Sequence, residues 1–172
     1  MKPGTRVLDY GCGLGYLYEY LQKSGCEISY TGVDILPEFV NACNQKFPDA
    51  DFRNGEGDSD VIGEFDVVFA SGVFNICTHN DPVESRAYAL ARVEQLFGWA
   101  KEVLVCDFLS SYVDFQQSDA QHFSVGEIAD FSVARLGRRF LLRHDVLPYE
   151  MTLVAWSNSS ITRPGNFYEV DK

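Results

Sequence analysis

Positive charge is scarce in this chain. Its 14 lysines and arginines stand against 25 aspartates and glutamates, for a net charge of −11. Binding nucleic acid or an anionic membrane surface needs clustered Lys and Arg, so the balance argues against both partners. The nearest approach to a basic cluster is Arg135, Arg138, Arg139 and Arg143, which reads as a solvated helix end and strand start. Paired cysteine is missing as well. Cys12, Cys26, Cys43, Cys77 and Cys106 are odd in number and hold no C-x-x-C spacing. Neither a disulfide frame nor a metal site is expected from them. Four of the five lie in or beside apolar segments, which suits reduced thiols in a cytoplasmic protein. No apolar run reaches membrane-spanning length, and no signal-peptide pattern opens the chain. Internal repeats and low-complexity segments are also lacking.

What is present is enough for one well-packed domain: 172 residues, 46% hydrophobic and 23% charged. Residues 1–156 are expected to form that domain. Residues 157–172 read as a polar tail, carrying Asn, Ser, Pro and Gly.

The organising stretch is Thr5 to Tyr16. A short apolar run reaches Asp9, then glycine recurs at Gly11, Gly13 and Gly15. Leu14, Leu17, Tyr18 and Leu21 follow at helical spacing. Strand, glycine turn and helix in that order set a ligand against bare backbone at a helix amino end, where N–H groups point outward. The nicotinamide and flavin fingerprint requires a glycine where Tyr16 stands, which argues against a dinucleotide oxidoreductase.

The rest of the chain alternates strand and helix. Strands are expected at Arg6–Tyr10, Ile28–Val33, Asp51–Arg53, Phe65–Ser71, Glu102–Phe108, Phe140–His144 and Glu150–Trp156. Helices are expected from about Leu14 to Ser24, Pro37 to Phe47, Pro82 to Phe97 and Ser124 to Leu136. Asp81-Pro82 supplies a cap and a first-turn proline, and Ser124-x-x-Glu127 is a capping box. Phe65 to Ala70 is apolar almost throughout, as for a strand buried on both faces. The alternation calls for an α/β, mostly parallel sheet with right-handed crossovers. The last two strands form a hairpin, which makes one of them antiparallel.

Asp34 ends the second strand, where a carboxylate either accepts hydrogen bonds from two ribose hydroxyls or caps the helix at Pro37. Glu56 or Asp58 either receives an adenine amino group or is a turn residue. Ser71 and the residues after it border the same crevice, and Phe74 is site lining or core.

These residues resemble the class I methyltransferases that use S-adenosylmethionine. Val7 to Gly15 is similar to that family's first motif and Gly32-Val33-Asp34-Ile35 to its second. Glu56 stands in the place of the acid after the third strand, and Phe65-Asp66-Val67-Val68 resembles the fourth-strand motif. The resemblance implies a Rossmann-like, seven-stranded sheet in the order 3-2-1-4-5-7-6, with strand 7 antiparallel and helices on both faces. It implies S-adenosylmethionine held by Asp9, Gly11, Cys12, Gly13, Asp34, Ile35, Glu56 and Ser71. Within that set, Gly11 and its neighbours would hold the methionine, Asp34 the ribose, Ile35 the adenine face and Glu56 the adenine amine. Leu142 to Glu150 more narrowly resembles methyltransferases of bacterial surface-polysaccharide and natural-product gene clusters. The expected activity is methyl transfer to a small-molecule or sugar-derived acceptor.

Many relatives place helices before the first strand, closing over the cofactor; here Met1 to Gly4 alone precede it. The site is then open, covered by the Leu109–Phe123 loop, or covered by another chain in a homo-oligomer or partner complex. Alternatively, the sequence is a piece of a longer one. A partner-dependent, non-catalytic module is the competing reading. Methyl transfer from a sulfonium needs a base only when the acceptor must lose a proton. His144 is the first candidate, with Asp145 and Tyr149 beside it, against a purely structural hairpin role. His79 is a second candidate, and His122 reads as a cap or loop residue. Tyr112, Phe115 and Phe123 either line an acceptor pocket or pack their loop onto the sheet.

Overall fold

The computed structural model describes residues 1–55, 64–78 and 81–157. Strand β1 (Thr5–Tyr10) leads through the glycine turn into helix α1 (Tyr16–Lys23). Then come β2 (Ile28–Asp34), α2 (Pro37–Lys46), β3 (Asp51–Asn54) and β4 (Phe65–Ala70). Helix α3 (Pro82–Trp99) runs directly into β5 (Ala100–Ser110). A two-residue strand β6 (His122–Phe123) precedes α4 (Val125–Phe131), which widens into a π-helical turn at Ser132–Leu136. The hairpin of β7 (Phe140–Arg143) and β8 (Glu150–Trp156) completes the fold.

The sheet order is β3-β2-β1-β4-β5-β8-β7, with β6 paired to β5 off that path. This is the expected α/β Rossmann-like order, the extra short strand accounting for the shifted numbers. β1, β2, β3, β4 and β5 pair in parallel. β8 is antiparallel to both β5 and β7, so β7 runs in the direction of β1.

Alternation within the strands gives each face of the sheet its own core. Leu8, Val68, Leu104, Phe108 and Leu153 face α3 and α4, meeting Val93, Leu96 and Ile128. Val7, Tyr30, Phe52 and Val67 face α1 and α2, meeting Tyr18, Val40 and Cys43. Every cysteine is a free thiol.

The expected caps form. Asp81 accepts from the Val83 amide at 2.8 Å, and Ser124 Oγ from the Glu127 amide at 3.1 Å. Glu127 turns its carboxylate to Arg86, which also donates to the His122 carbonyl. That guanidinium thereby ties α3, α4 and β6 together.

Two outcomes differ from the sequence expectation. β5 begins at Ala100 rather than Glu102 and runs to Ser110, because Ala100 pairs with Phe65 and the far end pairs with β6 and β8. His122 lies in a strand, since Leu109 and Ser110 offer it a ladder that only the folded chain creates. Of the two readings open for Phe123, packing is the one observed: the ring is fully buried against Phe108, at 5.0 Å between ring centroids. The Arg135–Arg143 cluster resolves into local partnerships. Arg135 meets Glu94, Arg143 meets Asp145, and Arg139 lies over the Trp156 ring. Glu56, Asp58, His79 and residues 158–172 of the tail lie outside the described residues. Ser157 is described, and its amide donates to the Glu102 carbonyl.

Phe108 is fully buried, stacked on Phe74 at 5.5 Å and edge-on to Phe123. Phe108→Ala is expected to cost about 3–5 kcal/mol in urea-induced unfolding. A loss below about 1 kcal/mol would mean that this ring is not central to the α3–α4 core.

Candidate functional site

The glycine turn is shaped by its neighbours. Gly11 has φ +75°, and a Cβ there would stand 2.5 Å from Val73 Cγ2. Gly15 has φ +74°, and its Cβ would press on Phe47, Phe52 and Cys43 at 3.0–3.3 Å. The first glycine thus lets the β4–α3 loop approach, and the third lets α1 start against the aromatic cluster.

Three of the turn's amides point inward. Gly11 and Cys12 both donate to the Val33 carbonyl, at 2.8 and 3.0 Å. Gly13 donates to Asp34 Oδ2 at 2.8 Å, and its own carbonyl accepts the Cys43 thiol at 3.3 Å. Asp34 Oδ1 accepts from the Leu36 amide at 2.9 Å. One buried carboxylate therefore joins the glycine turn to the β2–α2 turn. Asn54 steadies the same corner by donating to the Asp34 and Ile35 carbonyls, each at 3.0 Å. Amides engaged in this way cannot cradle a phosphate.

Around the turn lies a cleft of two joined lobes. Gly11, Phe39 and Ser71 border both. One lobe is walled by Asp34, Ile35, Leu36 and Phe74. The other is walled by Asp9, Cys12, Gly13, Asp107 and Thr152, and among the described residues no lysine or arginine lines it. Phe74 is both lining and core. Of the sequence candidates, the cleft gathers Asp9, Gly11, Cys12, Gly13, Asp34, Ile35 and Ser71.

Carboxylates dominate the Asp9 lobe, while Arg92 lines the other. Burial lifts the Asp9 carboxyl from its ordinary 3.8 to about 6. The hydrogen bond from Tyr30, at 2.6 Å, works against that lift, and the Asp34 charge adds to it. Burial and then the Asp9 charge push the Tyr30 hydroxyl up. Burial, Asp9 and Asp34 push the Cys12 thiol up in turn, which keeps it neutral. Sequence reasoning missed Asp107, which accepts from the Ser71 hydroxyl and from the Gly72 amide at 2.7 Å. It missed Glu150 too, whose carboxyl is raised by burial and by Asp107. Only the β5–β8 register brings these two acids together, so no local signal marks them.

His144 and Tyr149 stand apart from the cleft, gathered on Ser110. The His144 Nε2 is 2.7 Å from Ser110 Oγ, and the Tyr149 carbonyl accepts from the Ser110 amide at 2.8 Å. The Leu109–Phe123 loop is stitched to the segment after β4: Gln121 donates to the Asn75 carbonyl and Cys77 to the Asp119 carbonyl. Among the described residues no cluster of three His, Cys, Asp or Glu side chains could hold a metal, and no helix is long and apolar enough to cross a membrane.

Residues 7–93 match a family model described as a methyltransferase domain. The chain belongs to that family. A protein named as a methyltransferase, Rv1506c of Mycobacterium tuberculosis, is 29% identical over 156 residues, which is 86% of this chain and 90% of that one. The ribosomal protein L11 methyltransferase of Burkholderia thailandensis is 42% identical over 77 residues, so the match spans only 25% of that longer protein. Among solved structures, magnesium protoporphyrin IX methyltransferase from Synechocystis with bound S-adenosylhomocysteine superposes with TM-score 0.69 at 21% identity, covering 91% of this chain and 75% of that one. The S-adenosylmethionine-bound amino pentose methyltransferase CalS10 of Micromonospora echinaspora gives TM-score 0.65 at 17% identity, covering 90% and 84%. These likenesses establish the shared methyltransferase fold.

The Asp9 shift has a stability consequence. Its folded-state value lies above the ordinary one near 3.8, so the folded chain binds the extra proton between about pH 4 and pH 6. The associated stabilisation is complete below about pH 4 and is lost as pH rises through 6. Asp9→Asn keeps an oxygen for Tyr30 and cannot ionise. The variant should gain stability relative to the parent between pH 4 and pH 7.5, by up to about 3 kcal/mol. Urea unfolding at both pH values measures this, and a constant difference between the two proteins would contradict it.

Proposed function

We propose that this methyltransferase-family chain transfers the methyl group of S-adenosylmethionine to a small-molecule or sugar-derived acceptor. The observation that carries the reading is the Asp34 clip in an acidic cleft whose turn amides are already engaged. A pyrophosphate lying against the turn would meet the carboxylates of Asp9, Asp34 and Asp107, and the Gly11, Cys12 and Gly13 amides are already taken. A ligand carrying a sulfonium and an ammonium meets the same carboxylates favourably.

The residues present suit that cofactor. Each Asp34 oxygen accepts one backbone hydrogen bond and keeps a lone pair for a ribose hydroxyl. Ile35, Leu36 and Phe39 offer an apolar wall for the adenine. Gly11, Cys12 and Gly13 border the lobe suited to the methionine, with Asp9 behind them. Ser71, fixed by Asp107, edges both lobes. When bound, the cofactor supplies an activated methyl group. The chain's own part is to fix the ribose, shield the sulfonium from water and set the acceptor in line. His144 and Tyr149 are the candidates for contact with the acceptor.

Calorimetric titration tests the reading. S-adenosylmethionine and S-adenosylhomocysteine should both bind, and NAD should not. Asp34→Ala should weaken the first two at least tenfold, because it removes the ribose acceptor and frees the Gly13 amide together. Absence of binding by either at millimolar concentration would overturn the cofactor assignment. Unchanged affinity in the variant would overturn the role of Asp34.

A further inference from the structure

A second cavity lies at the same strand edge, lined by Leu109, Tyr112, Phe115, His122, Pro148 and Tyr149. Leu109 follows Asp107 by two residues on β5, so both side chains leave the same sheet face, about 7 Å apart. His122 is the ladder partner of Leu109 from β6, and Glu150 is its partner from β8. The cavity therefore continues the sheet face that forms the Asp107–Thr152 wall of the cleft.

His122 has an unusual hydrogen-bond balance. Its Nδ1 lies 2.8 Å from the Ser110 carbonyl oxygen. A carbonyl only accepts, so Nδ1 carries the proton and, in the neutral ring, Nε2 is the bare nitrogen. That Nε2 is buried and has no hydrogen-bond partner among the described residues. A buried lone pair without a donor costs free energy, which a ligand hydroxyl would recover. Tyr112, Phe115 and Tyr149 stand exposed around the cavity. Asp114 is the one charged residue among the described residues of the lining, so an anionic ligand is disfavoured and a neutral ring is suited to stacking.

We propose that this cavity is the acceptor site, that it takes a neutral ring bearing a hydroxyl group, and that His122 Nε2 is the proton acceptor. The chemistry rests on the methyl-transfer reading above; the binding rests on the cavity alone. The hydroxyl proton passes to His122 Nε2 while an oxygen lone pair forms the bond to the methyl carbon. The carbon–sulfur bonding pair returns to sulfur, leaving a neutral thioether, and the imidazolium releases its proton to water. Ser110 is a positioning residue. Its carbonyl fixes the His122 tautomer, and its hydroxyl engages His144.

The test uses the full chain with ¹⁵N-labelled histidine and needs no cofactor. Long-range ¹H–¹⁵N spectra should show His122 as the Nδ1–H tautomer. Adding 4-methylphenol or methyl β-D-glucopyranoside, to about 10 mM, should move the His122 Nε2 resonance. Which of the two acts separates an aromatic from a sugar hydroxyl. The ether 4-methylanisole, which has no donor, should leave the resonance in place. His122→Phe should weaken binding of the active probe at least tenfold while leaving S-adenosylmethionine affinity within twofold. An Nε2–H tautomer, no movement with either hydroxyl probe, or unchanged probe binding in His122→Phe would each overturn the proposal. The spectral arm stands even where the variant fails to fold. Failure of the cofactor titration with success here would sink the methyl-transfer chemistry and keep the site.

Discussion

Asp34 is where the sheet, the glycine turn and the cleft become one object. Its two carboxylate oxygens hold the Gly13 and Leu36 amides, while Asn54 and Gly55 hold its main-chain carbonyl. The carboxylate is nearly buried and still lines the cleft. Charge-assisted hydrogen bonds of this kind are among the stronger ones in a fold. The turn therefore keeps its shape without a ligand, and a ligand that needs that shape meets it ready-made. Val33 completes the arrangement by accepting from Gly11 and Cys12. The glycines are required because the chain must bend left-handedly while Val73 and Phe52 press close.

From that constraint the electrostatics follow. Asp34 sits near Asp9, and its charge adds to the burial that lifts the Asp9 carboxyl. The fold tolerates the pair because Tyr30 donates to Asp9 and because backbone amides neutralise Asp34. A cation bound nearby would relieve the remaining strain between the two acids. An anion would add to it. The same geometry thus disfavours a dinucleotide and favours a sulfonium, a conclusion that Tyr16 alone supports only by pattern.

Much of this was legible beforehand where the cause is local. The glycine spacing, the Asp81 and Ser124 caps and the buried β4 run are written in neighbouring residues; alternation gives the mostly parallel α/β sheet, and the strand order came from the resemblance to the methyltransferase family. Asp34 stood out because it ends a strand before a Pro-led helix, and it both clips the turn and faces the cleft. What escaped is set by register between distant segments. Asp107 gains meaning only beside Ser71 and Gly72, and Glu150 only beside Asp107. His122 reads as a loop residue until Leu109 and Ser110 become its ladder. Phe123 left pocket lining and loop packing both open, because its burial depends on Phe108 and Arg86 arriving from elsewhere.

The length of β5 explains why these residues sit together. β4 pairs with it only as far as Ala70 opposite Cys106. From Asp107 to Ser110 the strand has no β4 neighbour on that side, and unpaired backbone at a sheet interior needs partners. The chain supplies them piecemeal. The Asn75 side chain takes the Leu109 amide, β6 pairs with Leu109 and Ser110, and β8 continues on the other side. Satisfying that overhang pulls the 109–123 loop back across the strand edge and seats His122 against the Ser110 carbonyl. A shorter β5, ending level with β4, would leave His122 without its tautomer-fixing acceptor and Asp107 without its place at the cleft. The overhang is thus the physical link between the glycine-turn cleft and the cavity beside it.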